Sequence, residues 1–173
     1  MPSDARWRWP WLWGRHQSHL GQRHGRPRPL FARSERAVKA LCPGLPSQAF
    51  IHYGNAIGDA VRIAAELGVK AVTLSLMIGK AVKLAAGDLD THSHNVTIDR
   101  EFLARVAREA GCSEGGIATI VAVNMASELW DALTPADLAL FIPAVREHCL
   151  KALTPLHPAI TLLLLTPDGS VAP

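Results

Sequence analysis

The chain has 173 residues, of which 49% are hydrophobic, 19% charged and 6% aromatic, enough for one ordinary core and too little for two large domains. Its formal charge of +3 hides an asymmetry: residues 1–33 carry seven Arg against one Asp, a local +6, which leaves −3 over 34–173. The longest aliphatic block, around Leu162 to Leu165, falls short of the roughly 18–20 apolar residues that cross a bilayer, so no membrane span is expected. Cys42, Cys112 and Cys149 are widely separated with no Cys-x-x-Cys pair, which excludes a disulfide framework and a cysteine zinc ribbon and fits a reducing cytoplasm.

Residues 1–33 mix Arg6, Arg8 and Arg15 with Trp7, Trp9, Trp11 and Trp13, then run on in Arg, His, Gly and Pro. No helical or alternating pattern there can bury a face, so a disordered tail is expected. Interleaved Arg and Trp could stack on bases or sit at a membrane interface, yet nothing encodes a specific nucleic-acid motif. Arg8 and Pro10 interrupt the apolar run that a secretory signal needs.

The folded part is expected to start near Ser34. Ala49, Phe50, Ile51 and Tyr53 suggest a first strand over 48–53, and Gly54-Asn55-Ala56-Ile57-Gly58 reads as a turn. Ile57, Ala60, Val61, Ala64 and Ala65 recur at the spacing of one helical face, with Gly68 as a left-handed stop. Residues 69–76 follow as a second strand, small or apolar on both faces. Strand, helix and strand would form a right-handed parallel crossover. A helix from Met77-Ile78-Gly79-Lys80 to Ala86, a polar loop over 88–95, and two helices around Phe102–Ala107 and Ile117–Met125 come next. Thr134, Pro135 and Asp137 mark a helix start ahead of Leu138, Phe141, Ile142 and Val145. A strand over 158–166 closes at Pro167-Asp168-Gly169. The expected class is an α/β layered domain with a small, largely parallel sheet covered by helices.

Parallel sheets bind ligands beyond the carboxyl ends of their strands, which directs attention to Gly54–Gly58 and to Met77–Lys80. Each segment opens a helix whose free N–H groups could meet an anion, and Lys80 and Lys83 lie three apart on one helical face. Neither segment is a phosphate-binding or dinucleotide fingerprint. His92 and His94, with Asp88, Asp90 and Asp99, could compose a metal site, but the spacing is loose, and local backbone hydrogen bonding by a polar loop explains these residues without metal. No G-x-S-x-G elbow is present. Cys112 reads as a packed small residue.

Four motifs in this order resemble the cobalt-precorrin-5B C(1)-methyltransferases of anaerobic cobalamin biosynthesis, in their C-terminal half: Gly54-Asn55-Ala56-Ile57-Gly58-Asp59, Ile78-Gly79-Lys80 with Lys83-Leu84-Ala85-Ala86-Gly87, Thr91-His92-Ser93, and Asp99-Arg100-Glu101. The chain departs from that pattern at Leu76-Met77, where the family usually has glycine-histidine, and at Gly54-Asn55-Ala56, where it has serine-asparagine-phenylalanine. The resemblance implies S-adenosylmethionine as methyl donor, a cobalt corrinoid substrate, and no protein-bound metal. It places Gly79, Lys80, Lys83, Thr91 and Ser93 at the substrate, Gly54, Asn55 and Gly58 at the donor, and His92 in the catalytic position, orienting a substrate carboxylate. The family's N-terminal half has no counterpart in these motifs, so the expected state is a truncated form, a homo-oligomer, or a chain awaiting its other half. A non-catalytic corrinoid- or anion-binding module and a metal-dependent hydrolase on His92, His94 and Asp99 are the rival readings.

Overall fold

The computed structural model describes residues 38–41, 43–46, 49–92 and 97–172. The expected tail over 1–33 lies outside them, as do Ser93 and His94. In chain order the elements are α1 (Ile57–Glu66), β1 (Val72–Met77), α2 (Ile78–Ala85), α3 (Arg100–Glu109) and α4 (Glu114–Ala122). A 3₁₀ turn (Ala126–Glu128), α5 (Leu129–Ala132), α6 (Pro135–Leu153) and β2 (Ile160–Leu165) complete them. The strands pair in parallel, from Val72 beside Ile160 to Met77 beside Leu165. The helix-rich α/β class with a small parallel sheet is therefore as expected.

Alternation along the strands decides which face is covered. Leu74, Leu76, Leu162 and Leu164 point one way and are buried, whereas Thr73 and Thr161, one step out of phase, are exposed. α2 packs along α6, α6 lies against β2, and α3 packs on α4. Ile78, Ala81, Val82 and Leu84 from α2 meet Phe141, Val145, Cys149 and Leu153 from α6 in one continuous core.

Three expectations need correction. Residues 49–53 form no strand, so the crossover is not strand, helix, strand; β1 finds its partner in β2, beyond all the later helices. The apolar run there is only three residues long, Ile51 stays exposed, and Gly54 at φ +62° turns the chain so that Tyr53 meets β1 through its hydroxyl. That hydroxyl donates to the Ser75 carbonyl at 2.7 Å. β1 begins at Val72 and not at Val69, because the Val69 carbonyl is engaged by His157 Nε2 at 2.9 Å. The helix expected to reach Met125 stops at Ala122: Val123 turns extended, and the Asn124 and Met125 N–H groups donate to the Glu128 carboxylate, each at 3.3 Å.

The start of α6 is as expected, with the Asp137 N–H donating to Thr134 Oγ1 at 3.1 Å. Asp137 also reaches a second helix. Its carboxylate accepts from the Ser113 N–H at 2.7 Å and from Ser113 Oγ at 3.0 Å, and Ser113 Oγ in turn caps α4 through the Gly116 N–H at 3.0 Å. The residue is buried, and these donors hold its carboxyl below the usual aspartate range, the Ser113 N–H foremost.

Candidate functional site

Loops 53–58 and 88–92 lie apart in sequence and meet in the fold through an antiparallel bridge between Ala56 and Asp90. The Thr91 N–H donates to the Asn55 carbonyl at 3.0 Å, Thr91 Oγ1 to the same oxygen at 3.4 Å, and the Gly58 N–H to the Leu89 carbonyl at 2.9 Å. Thr91 is almost fully buried. Its hydroxyl therefore serves the seam between the loops, and its carbonyl is turned toward α2.

Gly58 has a packing reason to be glycine, since a Cβ there would stand 2.7 Å from Leu89 Cβ. Its N–H is already used by Leu89. Gly54 is different: its φ of +62° belongs to the left-handed region, and the space a Cβ would take is open. Gly79 sits in the first turn of α2, also facing open space.

α2 carries both lysines to the seam. Lys80 Nζ donates to the Gly54 carbonyl and lies 5.5 Å from the centre of the Tyr53 ring. Lys83 Nζ donates to the Thr91 carbonyl at 3.4 Å. The two ammonium groups thus touch one loop each, and no carboxylate ion-pairs with either among the described residues. Partial burial lowers the Lys80 pKa by penalising its charged form. Burial likewise raises the Tyr53 pKa, leaving the phenol neutral and its face available to the cation.

His92 is half-buried directly after Thr91, and its N–H donates to Asp90 Oδ1 at 3.1 Å. On the far side of the bridge Ala56, Gly58, Asp59, Arg62, Leu89 and Asp90 line an open cleft of about 150 Å³. That volume admits a carboxymethyl-sized group and not a macrocycle. Asp59 and Arg62 neutralise one another there at 2.6 Å. Among the described residues no group of three or more His, Cys, Asp or Glu side chains is placed to hold a metal ion, and no helix is long and apolar enough to cross a membrane.

The structure thus brings Gly54, Asn55, Gly58, Lys80, Lys83, Thr91 and His92 into one neighbourhood, with Gly79 on the same helix start as Lys80. Ser93 lies outside the described residues. Sequence reasoning missed Tyr53, read as a strand residue, and the pairing of Leu89 and Asp90 with the first loop. Asp90 two residues before His92 is the local signal for the Asx-type turn seen here; no local signal announces the approach of Tyr53 to β1.

Residues 90–170 match the family model described as CbiD, C-terminal domain. Over those residues, just under half of the chain, it is similar to the C-terminal domain of that family. Curated relatives carry the name cobalt-precorrin-5B C(1)-methyltransferase: one from Geobacillus kaustophilus is 33% identical over 120 residues, covering 69% of this chain and 32% of its own. One from Priestia megaterium is 35% identical over 117 residues, covering 68% and 32%, and one from Salinispora tropica is 41% identical over 103 residues, covering 58% and 27%. The resemblance drawn from the motifs is thereby shown for the C-terminal part of the family. The chain spans about a third of the length of the curated relatives it matches. No solved structure matches it.

Proposed function

We infer that this chain supplies the corrinoid-holding C-terminal domain of a methyltransferase that acts on C-1 of cobalt-precorrin-5B. The observation that carries the reading is the pair Lys80 and Lys83, two ammonium groups at the seam of the joined loops whose partners among the described residues are carbonyl oxygens and an aromatic face. A partly desolvated cation without a carboxylate is under-compensated, and an anionic ligand supplies the missing charge. A corrin precursor bears acetate and propionate carboxylates around its rim, so one rim edge laid across the seam meets both lysines. Gly79 in the first turn of α2 allows close approach, and Thr91 with Ser93 flanks His92, whose role is to orient a rim carboxylate.

S-adenosylmethionine supplies a methyl group already activated on a sulfonium, so what the protein adds is binding and alignment. The residues of this chain fit the carboxylate-rich substrate more fully than the donor: Gly58 N–H and the Asn55 carbonyl are engaged within the seam, and Gly54 keeps open space. Gly54 and Asn55 are proposed as the donor-facing edge, with Gly58 holding that loop in place.

The test is binding of a cobalt corrin polycarboxylate at low and moderate salt, with the Lys80→Ala/Lys83→Ala protein beside a Lys151→Ala control whose lysine pairs with Glu147 away from the seam. The double variant should bind at least about tenfold more weakly and lose much of its salt dependence. Equal affinity in parent and double variant at low salt refutes the assignment. Binding without methyl transfer in the presence of donor favours the non-catalytic module.

A further inference from the structure

We propose that the outer edge of β1 is a docking edge for a β-strand from the portion of its relatives' chain that lies outside the match. The ladder identifies the edge. The Val72 N–H donates to the Ala159 carbonyl at 2.9 Å, so in a parallel pair the backbone of Val72, Leu74 and Leu76 faces β2 while that of Thr73 and Ser75 faces away. The Tyr53 hydroxyl on the Ser75 carbonyl confirms that direction. Thr73, whose side chain is exposed, presents its N–H and C=O outward, and Ser75 its N–H, with no partner among the described residues.

The opposite edge is more closed. There the returning chain pairs with β2 through the Ala172 N–H on the Leu164 carbonyl at 2.8 Å. Val72-Thr73-Leu74-Ser75-Leu76-Met77 itself contains no charge or proline, and the Tyr53 hydroxyl closes the edge at the Ser75 carbonyl while leaving the Thr73 N–H and C=O and the Ser75 N–H. Ser75 Oγ, beside that edge, is buried without a hydrogen-bond partner. Among the described residues the sheet has two parallel strands, fewer than such sheets ordinarily hold. The relatives provide the occupant: the match takes 32% of the Geobacillus kaustophilus chain, and residues 90–170 match the family's C-terminal domain, so about two thirds of that relative's chain lies outside the match. An added strand would satisfy the free backbone groups and offer Ser75 Oγ a partner. This inference rests on the kinship and the ladder, and is independent of the corrin reading.

The experiment co-expresses the full 173-residue chain with the N-terminal portion of the Geobacillus kaustophilus relative, cut before its matched region, and follows co-purification and amide exchange. The two should co-purify at equal stoichiometry. The Thr73 and Ser75 amides should exchange rapidly in the lone chain and at least about tenfold more slowly in the complex. Thr73→Pro removes an N–H that the β1–β2 ladder does not use, and Thr73→Lys adds an edge charge; each should weaken association at least about tenfold. The lysine variant should leave the thermal midpoint of the lone chain unchanged, so it carries the test if proline perturbs the strand. The proposal is overturned by absence of co-purification, by a complex that leaves both amides unprotected, or by protection already present in the lone chain, including through self-association. Corrin binding by the lone chain is read separately, so failure of one inference leaves the other standing.

Discussion

Asp137 caps two helices at once, its own α6 and, through Ser113, α4. Removing the charge in Asp137→Asn is expected to cost about 1–3 kcal/mol, the range for hydrogen bonds to a buried ionised group, measured by urea unfolding at neutral pH. The sign of the pH dependence follows from the lowered carboxyl pKa. The contribution is complete above the unfolded aspartate value near about 3.9 and is lost as pH falls through the lower folded value, so parent and variant should converge only in strong acid. A parallel test is Gly116→Ala, whose new Cβ would stand 2.6 Å from Asp137 Cγ. Because that neighbour is a buried, fully engaged carboxylate, a loss of about 1–3 kcal/mol is expected, and an unchanged unfolding midpoint would show that the two helix starts are not coupled.

At the scale of elements, α1 is held to the core less broadly than α6. Ile57, Gly58 and Val61 are its buried residues, with Ala64 half-buried and Ala65 exposed, whereas α6 buries Phe141, Ile142, Val145, Cys149 and Leu153. α1 should therefore open locally before the rest unfolds. Val61→Ala is expected to cost about 1–3 kcal/mol and to speed amide exchange through α1 while the α6 amides keep their rates. Equal acceleration in both helices would mean that α1 opens only with the whole domain. The consequence reaches the candidate site, since α1 starts at the loop that Lys80 and Thr91 hold.

The core of the whole molecule contains two thiols that report on its integrity. Cys149 is fully buried, its Sγ–H donates to the Ala81 carbonyl at 3.1 Å, and burial pushes its pKa up to about 12. Cys112 is buried as well, and its pKa is raised by desolvation and then by the nearby Asp137 charge. Thiolate is the reactive form, so in a Cys42→Ser background neither thiol should react with a disulfide reagent at pH 8 until denaturant unfolds the domain. Stoichiometric reaction of Cys149 in native buffer would reveal an opening that separates α2 from α6.

Local signals were sufficient for what local chemistry governs. Thr134 and Pro135 announced the start of α6, Gly68 and Gly87 ended α1 and α2 with positive φ, and the polar loop around Thr91 was set apart from its flanking helices. The strand-end argument brings forward Gly54, Lys80 and Lys83 and the motif order adds Thr91, and the fold gathers all four. Tertiary structure decided what depends on distant partners. An apolar run becomes a strand only where another strand supplies the ladder, and β2 supplies it to β1 while residues 49–53 have no ladder partner among the described residues. The second bond of Asp137, the clasp of His157 on Val69 and the bridge of Ala56 to Asp90 join residues far apart in sequence. A sequence read by spacing carries periodicity and capping, but it does not carry which buried polar group meets which, because that is set by the packing of the whole chain.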